Sequence, residues 1–223
     1  MKPFRPLKLW IYGAGGQGRE TVQLVSDINR LSSSWDILGI LDESEQIQGK
    51  MVSGYPVLHP YTALAQTDWE ETRLIFAIGS SRTKTVVAGK IEEAFPLVRY
   101  ASLYHPTAVI SESARISEGC IVAAHTLVST DVRLGRHVLI NYGATVGHDS
   151  AIGDYSSILP GARVSGHVQI GHAGNVGAGS VILPGLRIGS DAVIGAGAVV
   201  TRSLPGGCTV VGVPARPIKR EKE

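Results

Sequence analysis

Five histidines fall in the second half of the chain, at 125, 137, 148, 167 and 172, and His148 has neighbours that could make it a base. Asn141 and Tyr142 precede it and Asp149 follows it directly. A neutral imidazole can take a proton from an attacking hydroxyl or ammonium group, and a nearby carboxylate can fix the tautomer that does so. Adjacent residues of a strand point to opposite sides, so His148 and Asp149 can pair only where the backbone turns. The other histidines read as outward surface residues. A second chemistry-bearing group opens the chain: Gly13-Ala14-Gly15-Gly16-Gln17-Gly18, with Asp42-Glu43 some twenty residues later. Such glycines let the backbone approach a diphosphate, a helix N-terminus favours its charge, and the acid can accept a ribose hydroxyl.

The element that must position His148 is a repeat. An aliphatic residue returns every six positions from 110 to 200, beginning Ile110, Ile116, Val122 and ending Ile188, Ile194, Val200. A period of six fits neither an α-helix nor a hairpin sheet, so it predicts short strands alternating with corners. Four residues after each aliphatic position the side chain is mostly small, as at Ala114, Cys120, Thr126, Ala144, Ser150, Ala162, Ser180 and Ala192. A wide and a narrow inward residue per hexad suit a triangular coil of three flat faces. Parallel strands then bond to the coils above and below at ~4.8 Å. Each coil consumes three hexads, so residue 166 stands over 148, and it is Gly166. Thr130 stands below. A glycine directly over the imidazole leaves open backbone and space for an extended thioester.

The first hundred residues read differently. A buried strand at 7–12 runs into the glycine loop, a helix pattern follows from 19 to 31, and a second strand at 37–41 ends in Asp42-Glu43. A third strand at 74–78 ends in Gly79-Ser80-Ser81, where Ser80 or Ser81 can cap a helix running to about 95. Ile78 and Gly79 therefore lie at the same carboxyl edge as the glycine loop. About one hundred residues make half of a dinucleotide fold, which favours one nucleotide over NAD. The pattern changes after Tyr100, which predicts an α/β Rossmann-like half-domain over 1–103 and a parallel β-helix over 104–223.

Composition narrows the partners. The formal charge of +2 on 223 residues gives no case for nucleic acid. Two cysteines, Cys120 and Cys208, make no disulfide framework, so a reduced, cytoplasmic setting is expected. No apolar run approaches the ~18 residues of a membrane span, and no charged-then-apolar leader opens the chain. The basic stretch Lys219-Arg220-Glu221-Lys222 reads as a solvated end.

Four stretches carry a resemblance: 11–18 with the glycine loop, Ala77-Ile78-Gly79, 140–149 ending in His148-Asp149, and Val211-Gly212-Val213-Pro214-Ala215. Together they resemble the hexapeptide-repeat sugar acetyltransferases, in which a small nucleotide-sugar-binding domain precedes a left-handed parallel β-helix. The handedness comes from that resemblance. It implies that His148 is the general base and Asp149 its orienting acid, one methylene shorter than the Glu often found there. It implies acetyl-CoA as co-substrate, without a metal, along the outer coils between subunits of a homotrimer. The matching cofactor positions are Ser157, Gly166, Ala178 and Ala196. A nucleotide-linked sugar would lie over Gly15, Gly16, Gln17, Asp42, Glu43, Ile78 and Gly79.

The expected activity is acetyl-CoA-dependent N-acetylation of a nucleotide-linked 4-amino-4,6-dideoxy sugar for surface glycan synthesis. A diphosphate suits the helix N-terminus better than free sialic acid does. O-acetylation of sialic acid or another sugar is the alternative. His167 and His172, five apart, resemble two ligands of the β-helical carbonic anhydrases, but Asp131 stands where the third histidine would be. A non-catalytic scaffold and a dehydrogenase are the remaining readings.

Overall fold

In the computed structural model, which describes residues 5–218, the chain opens with a five-stranded sheet. Its strands are β1 (Leu7–Tyr12), β2 (Trp35–Leu41), β3 (Met51–Val52), β4 (Tyr55–Leu58) and β5 (Thr72–Phe76), in the order β3-β4-β2-β1-β5. All pairs are parallel except β3 with β4. Period-two alternation in β1 sends Leu9 and Ile11 to one face and Trp10 and Tyr12 to the other. The first pair packs with Val22 and Val25 of helix α1 (Gly16–Leu31). The second packs with Leu64 of α2 (Pro60–Ala65) and with Ala88 and Ile91 of α3 (Ser81–Ala94). Ser80 caps α3, its Oγ accepting from Thr83 N at 3.3 Å. The β3–β4 hairpin and α2 lie outside the three strands and two helices expected from the sequence.

From Leu103–Tyr104 onward the chain winds into a left-handed parallel β-helix of two-residue strands. Face one includes Leu103–Tyr104, Ile121–Val122, Leu139–Ile140, Ser157–Ile158, Asn175–Val176 and Val193–Ile194. Face two includes Leu127–Val128, Thr145–Val146, Arg163–Val164, Val181–Ile182 and Val199–Val200. Face three runs through Arg115–Ile116, Arg133–Leu134, Ala151–Ile152, Gln169–Ile170 and Arg187–Ile188. Registers up to Val200 pair a residue with the one eighteen positions on, as Thr145 with Arg163, and the last coil is two residues shorter, with Val193 against Thr209. The aliphatic series from Val122 to Val200 is buried, forming one axial core.

The corners repeat as strictly as the core. The third residue after each aliphatic position is left-handed without a break from Gly119 (φ +76°) to Gly197 (φ +67°). His125, Asp131, His137, Asp149 and His167 hold such places, the conformation that Asn, Asp and His tolerate best after glycine. Three of the five histidines are thereby accounted for as corner residues.

The two regions share a core. Ile121 and Leu139 of face one join the α1 side of the sheet, and Tyr155 joins the α3 side. α3 is tied down along its length: Ser81 Oγ donates to Gly174 O at 3.1 Å, Lys84 Nζ to Ser157 Oγ at 3.3 Å, and Arg136 pairs with Glu92 at 2.8 Å. His137 corrects the expectation of surface histidines. Its side chain is fully buried, stacked on Tyr155 at 5.1 Å and edge-on to Tyr100 and Phe76. Burial there, with the nearby charges of Arg136 and Lys84, pushes its pKa down to about 3, so it packs as a neutral ring. The 219–222 stretch lies outside the described residues.

Candidate active site

His148 stands at the corner between faces two and three, after the strand Thr145–Val146. Asp149 takes φ +59°, and that left-handed turn brings two consecutive side chains to the same side. His148 Nδ1 lies 2.8 Å from Asp149 Oδ2, so the shorter acid reaches the ring. At this distance a carboxylate holds the proton on Nδ1 and leaves the Nε2 lone pair free to act as base. The hydrogen bond with His148 holds the Asp149 carboxyl below its usual value, opposed by desolvation and helped by His167, His148 and Arg133. Gly166 is one coil on, where a Cβ would sit 2.6 Å from His148 Nε2. Any side chain there would displace the ring.

His167 joins this corner, a contact the sequence reading missed. Position 149 plus eighteen is 167, so the two left-handed places stack, and His167 Nε2 lies 3.7 Å from Asp149 Oδ2. The His148 and His167 rings meet edge to face at 5.0 Å. The same coil arithmetic that found Gly166 would have found His167 had it been applied to Asp149. His172 lies one corner away, against Tyr155 at 5.4 Å, so the His167–His172 pair of the carbonic anhydrase alternative does not form.

The glycine loop occupies the carboxyl edge where β1 meets β2 on one side and β5 on the other, the switch point at which such sheets bind ligands. Gly13 (φ +117°) and Gly18 are fixed by packing: added Cβ atoms would strike Ala77 O and Gly13 O. Gly15, Gly16 and Gly79 differ, since a Cβ at each would meet nothing within 4 Å. Those three line open space between the N-termini of α1 and α3. Ile78 is half-buried beside them, and Gln17 Oε1 accepts from Asn141 Nδ2 at 3.2 Å, tying the loop to the corner between faces one and two.

Asp42 serves the loop itself. Its Oδ2 accepts from Ala14 N at 2.9 Å and its Oδ1 from Ser44 N at 3.0 Å. Each oxygen keeps a lone pair for a ribose hydroxyl, but the carboxylate first shapes the crevice. Glu43 Oε1 accepts from Tyr12 Oη at 2.8 Å, with Lys90 3.5 Å from the other oxygen.

The four expected cofactor positions are not brought together within one chain. Gly166 shares the His148 corner, whereas half-buried Ala178 and exposed Ala196 stack on the corner between faces one and two. Ser157 is a correction. It is fully buried on face one beneath α3, with Lys84 Nζ on its hydroxyl, and offers no surface to a cofactor. Its outward spacing gave no sign that another domain covers that face.

Residues 8–91 match the PglD N-terminal domain family. The chain is 33% identical over 160 residues to GDP-perosamine N-acetyltransferase of Escherichia coli O157:H7, covering 71% of this chain and 70% of that protein. Perosamine N-acetyltransferase from Caulobacter crescentus, crystallised as a histidine-to-asparagine variant with CoA and GDP-perosamine, superposes with a TM-score of 0.86 at 29% identity, covering 95% and 97% of the two chains. The acetyltransferase domain of PglB from Neisseria gonorrhoeae FA1090, in complex with acetyl coenzyme A, gives 0.85 at 30% identity over 96% and 100%. Likeness of that extent, covering both the crevice and the helix, places the chain in the family of hexapeptide-repeat sugar acetyltransferases.

Proposed function

We propose that the protein transfers the acetyl group of acetyl-CoA to the amine of a nucleotide-linked 4-amino-4,6-dideoxy sugar, with His148 as base and Asp149 as its orienting acid. The observation that carries this reading is the His148–Asp149 contact of 2.8 Å, with the imidazole packed against the bare backbone of Gly166. His148 Nε2 takes a proton from the sugar ammonium, and the freed amine attacks the thioester carbonyl. A backbone N–H near Gly166 steadies the oxyanion as it forms. Collapse then expels the CoA thiolate, which takes the proton held by His148, while the amide nitrogen gives its second ammonium proton to solvent. Relatives that act on or bind GDP-perosamine and CoA support both substrates.

The division of labour follows the fold. Residues 1–103 hold the nucleotide over Gly15, Gly16, Gln17, Asp42, Glu43, Ile78 and Gly79, and residues 104–223 hold acetyl-CoA against Gly166, Ala178 and Ala196. The active unit is a homotrimer with sites between subunits. Two features support sharing: the glycine loop reaches the corner at Asn141, while His148 lies across face two. Face two also turns Leu127, Val181 and Val199 outward, a surface suited to a neighbour. No described helix is long and apolar enough to cross a membrane, and a cytoplasmic location, where acetyl-CoA is made available, fits the co-substrate. The test is an acceptor panel at fixed acetyl-CoA: UDP-, GDP- and dTDP-linked 4-amino sugars against free and CMP-linked sialic acid. Faster turnover of either sialic acid would overturn the N-acetyltransferase reading.

A further inference from the structure

The His148 corner gathers three metal-ligating side chains, and acetyl transfer uses two of them. Asp149 and His167 hold equivalent left-handed places one coil apart, so their side chains leave the corner in the same direction. His148 Nδ1 and His167 Nε2 lie 2.8 and 3.7 Å from Asp149 Oδ2, and one ligand atom from each of the three residues falls within 4.8 Å of the others. Two ligands of a tetrahedral zinc ion, each about 2.1 Å from the metal, stand about 3.4 Å apart. The two short separations bracket that value and the third lies within 4.8 Å, so modest adjustments of exposed side chains complete a tripod. The three side chains are 55%, 46% and 64% exposed, which leaves an approach path and a fourth position for water. Two imidazoles and a carboxylate select late transition ions over magnesium or calcium.

We propose that this corner is an inhibitory site for a zinc-class divalent cation, held by His148 Nδ1, Asp149 Oδ2 and His167 Nε2. Bonds from the metal to two nitrogens and one oxygen replace bonds to three of its hydration waters. The proton that Nδ1 shared with Asp149 moves through solvent to Nε2, so a neutral imidazole releases no net proton. Nε2 then carries hydrogen beside Gly166 and can no longer accept one from an ammonium group. Metal binding stands independently of the reaction, whereas inhibition rests on His148 being the base.

The experiment uses the full-length, EDTA-treated protein and compares it with His167→Ala, which leaves the His148–Asp149 pair in place. Co²⁺ is titrated by visible absorption, and Zn²⁺ and Mg²⁺ are titrated into the acetyl-transfer assay. The expected result is a tetrahedral Co²⁺ band and Zn²⁺ inhibition reversed by EDTA, both weakened at least about tenfold in His167→Ala, with Mg²⁺ inert. Absence of Co²⁺ binding, or equal Co²⁺ and Zn²⁺ responses in the two proteins, would overturn the site. A Co²⁺ band that requires His167 while Zn²⁺ leaves turnover unchanged would keep the site and overturn the base assignment.

Discussion

Lys84 is an amine buried completely between α3 and face one, and replacing it with Met should stabilise the protein at neutral pH. Its one hydrogen-bond partner is Ser157 Oγ at 3.3 Å. Burial pushes its pKa down from 10.5 to about 7, the weak opposing influence being Cys120. The Cys120 thiol is itself pushed up to about 11, and His137 beside them stays neutral, so neither charges between pH 7 and 9. In the unfolded chain Lys84 keeps its proton throughout that window, whereas the folded protein loses it. The unfolded state therefore binds more protons, and stability rises with pH, by about 2 kcal/mol from pH 7 to 9 at about 1.36 kcal/mol per pH unit once the folded amine is neutral. Below pH 7 both states carry the proton and nothing further is lost. Lys84→Met relieves up to roughly 4 kcal/mol at pH 7, and the lost hydrogen bond to Ser157 returns about 1 kcal/mol of that. Thermal unfolding of both proteins at pH 7, 8 and 9 should show the gap in Tm closing by roughly 4–8 °C. Parallel pH dependences, or a variant less stable by the same amount at every pH, would refute the assignment of a neutral buried amine.

Gly166→Ala should lower kcat by roughly tenfold to a hundredfold with little change in fold stability, because the new methyl pushes the His148 ring off its line; steady-state kinetics and thermal melts check it. Asp42→Ala should weaken nucleotide-sugar binding far more than acetyl-CoA binding in calorimetry. It should also cost about 1–3 kcal/mol of stability, since Ala14 N and Ser44 N lose their acceptor. Light scattering should report a trimer at assay concentration; an active monomer would remove the shared-site proposal.

The β-helix was legible because its order runs along one dimension. A strict six-residue period determines which side chain faces inward, and adding eighteen finds the residue above. That arithmetic placed Gly166 over His148 correctly. Glycine chemistry likewise exposed the crevice, since Gly13 and Gly18 are needed for the turn and Gly15, Gly16 and Gly79 for open space. What stayed hidden depends on the packing of one region against the other. Ser157 and Lys84 owe their burial to α3 lying on face one, and His137 is enclosed by Phe76, Tyr100 and Tyr155; no local periodicity encodes those contacts. The β3–β4 hairpin and α2 are too short for a periodic signal, although Ser53-Gly54 marks the hairpin's turn and Pro60 the start of the helix. Asp42 was read for its acidity, yet its two backbone hydrogen bonds arise only once the chain has folded.

The central claim is that His148 is the base, and the most direct measurement is the steady-state rate of His148→Ala with acetyl-CoA and a nucleotide-linked 4-amino sugar. A loss of ~10²–10⁴ in kcat, with acetyl-CoA affinity by calorimetry nearly unchanged, is the predicted result. A variant that retains most of its kcat across the neutral pH range would contradict it.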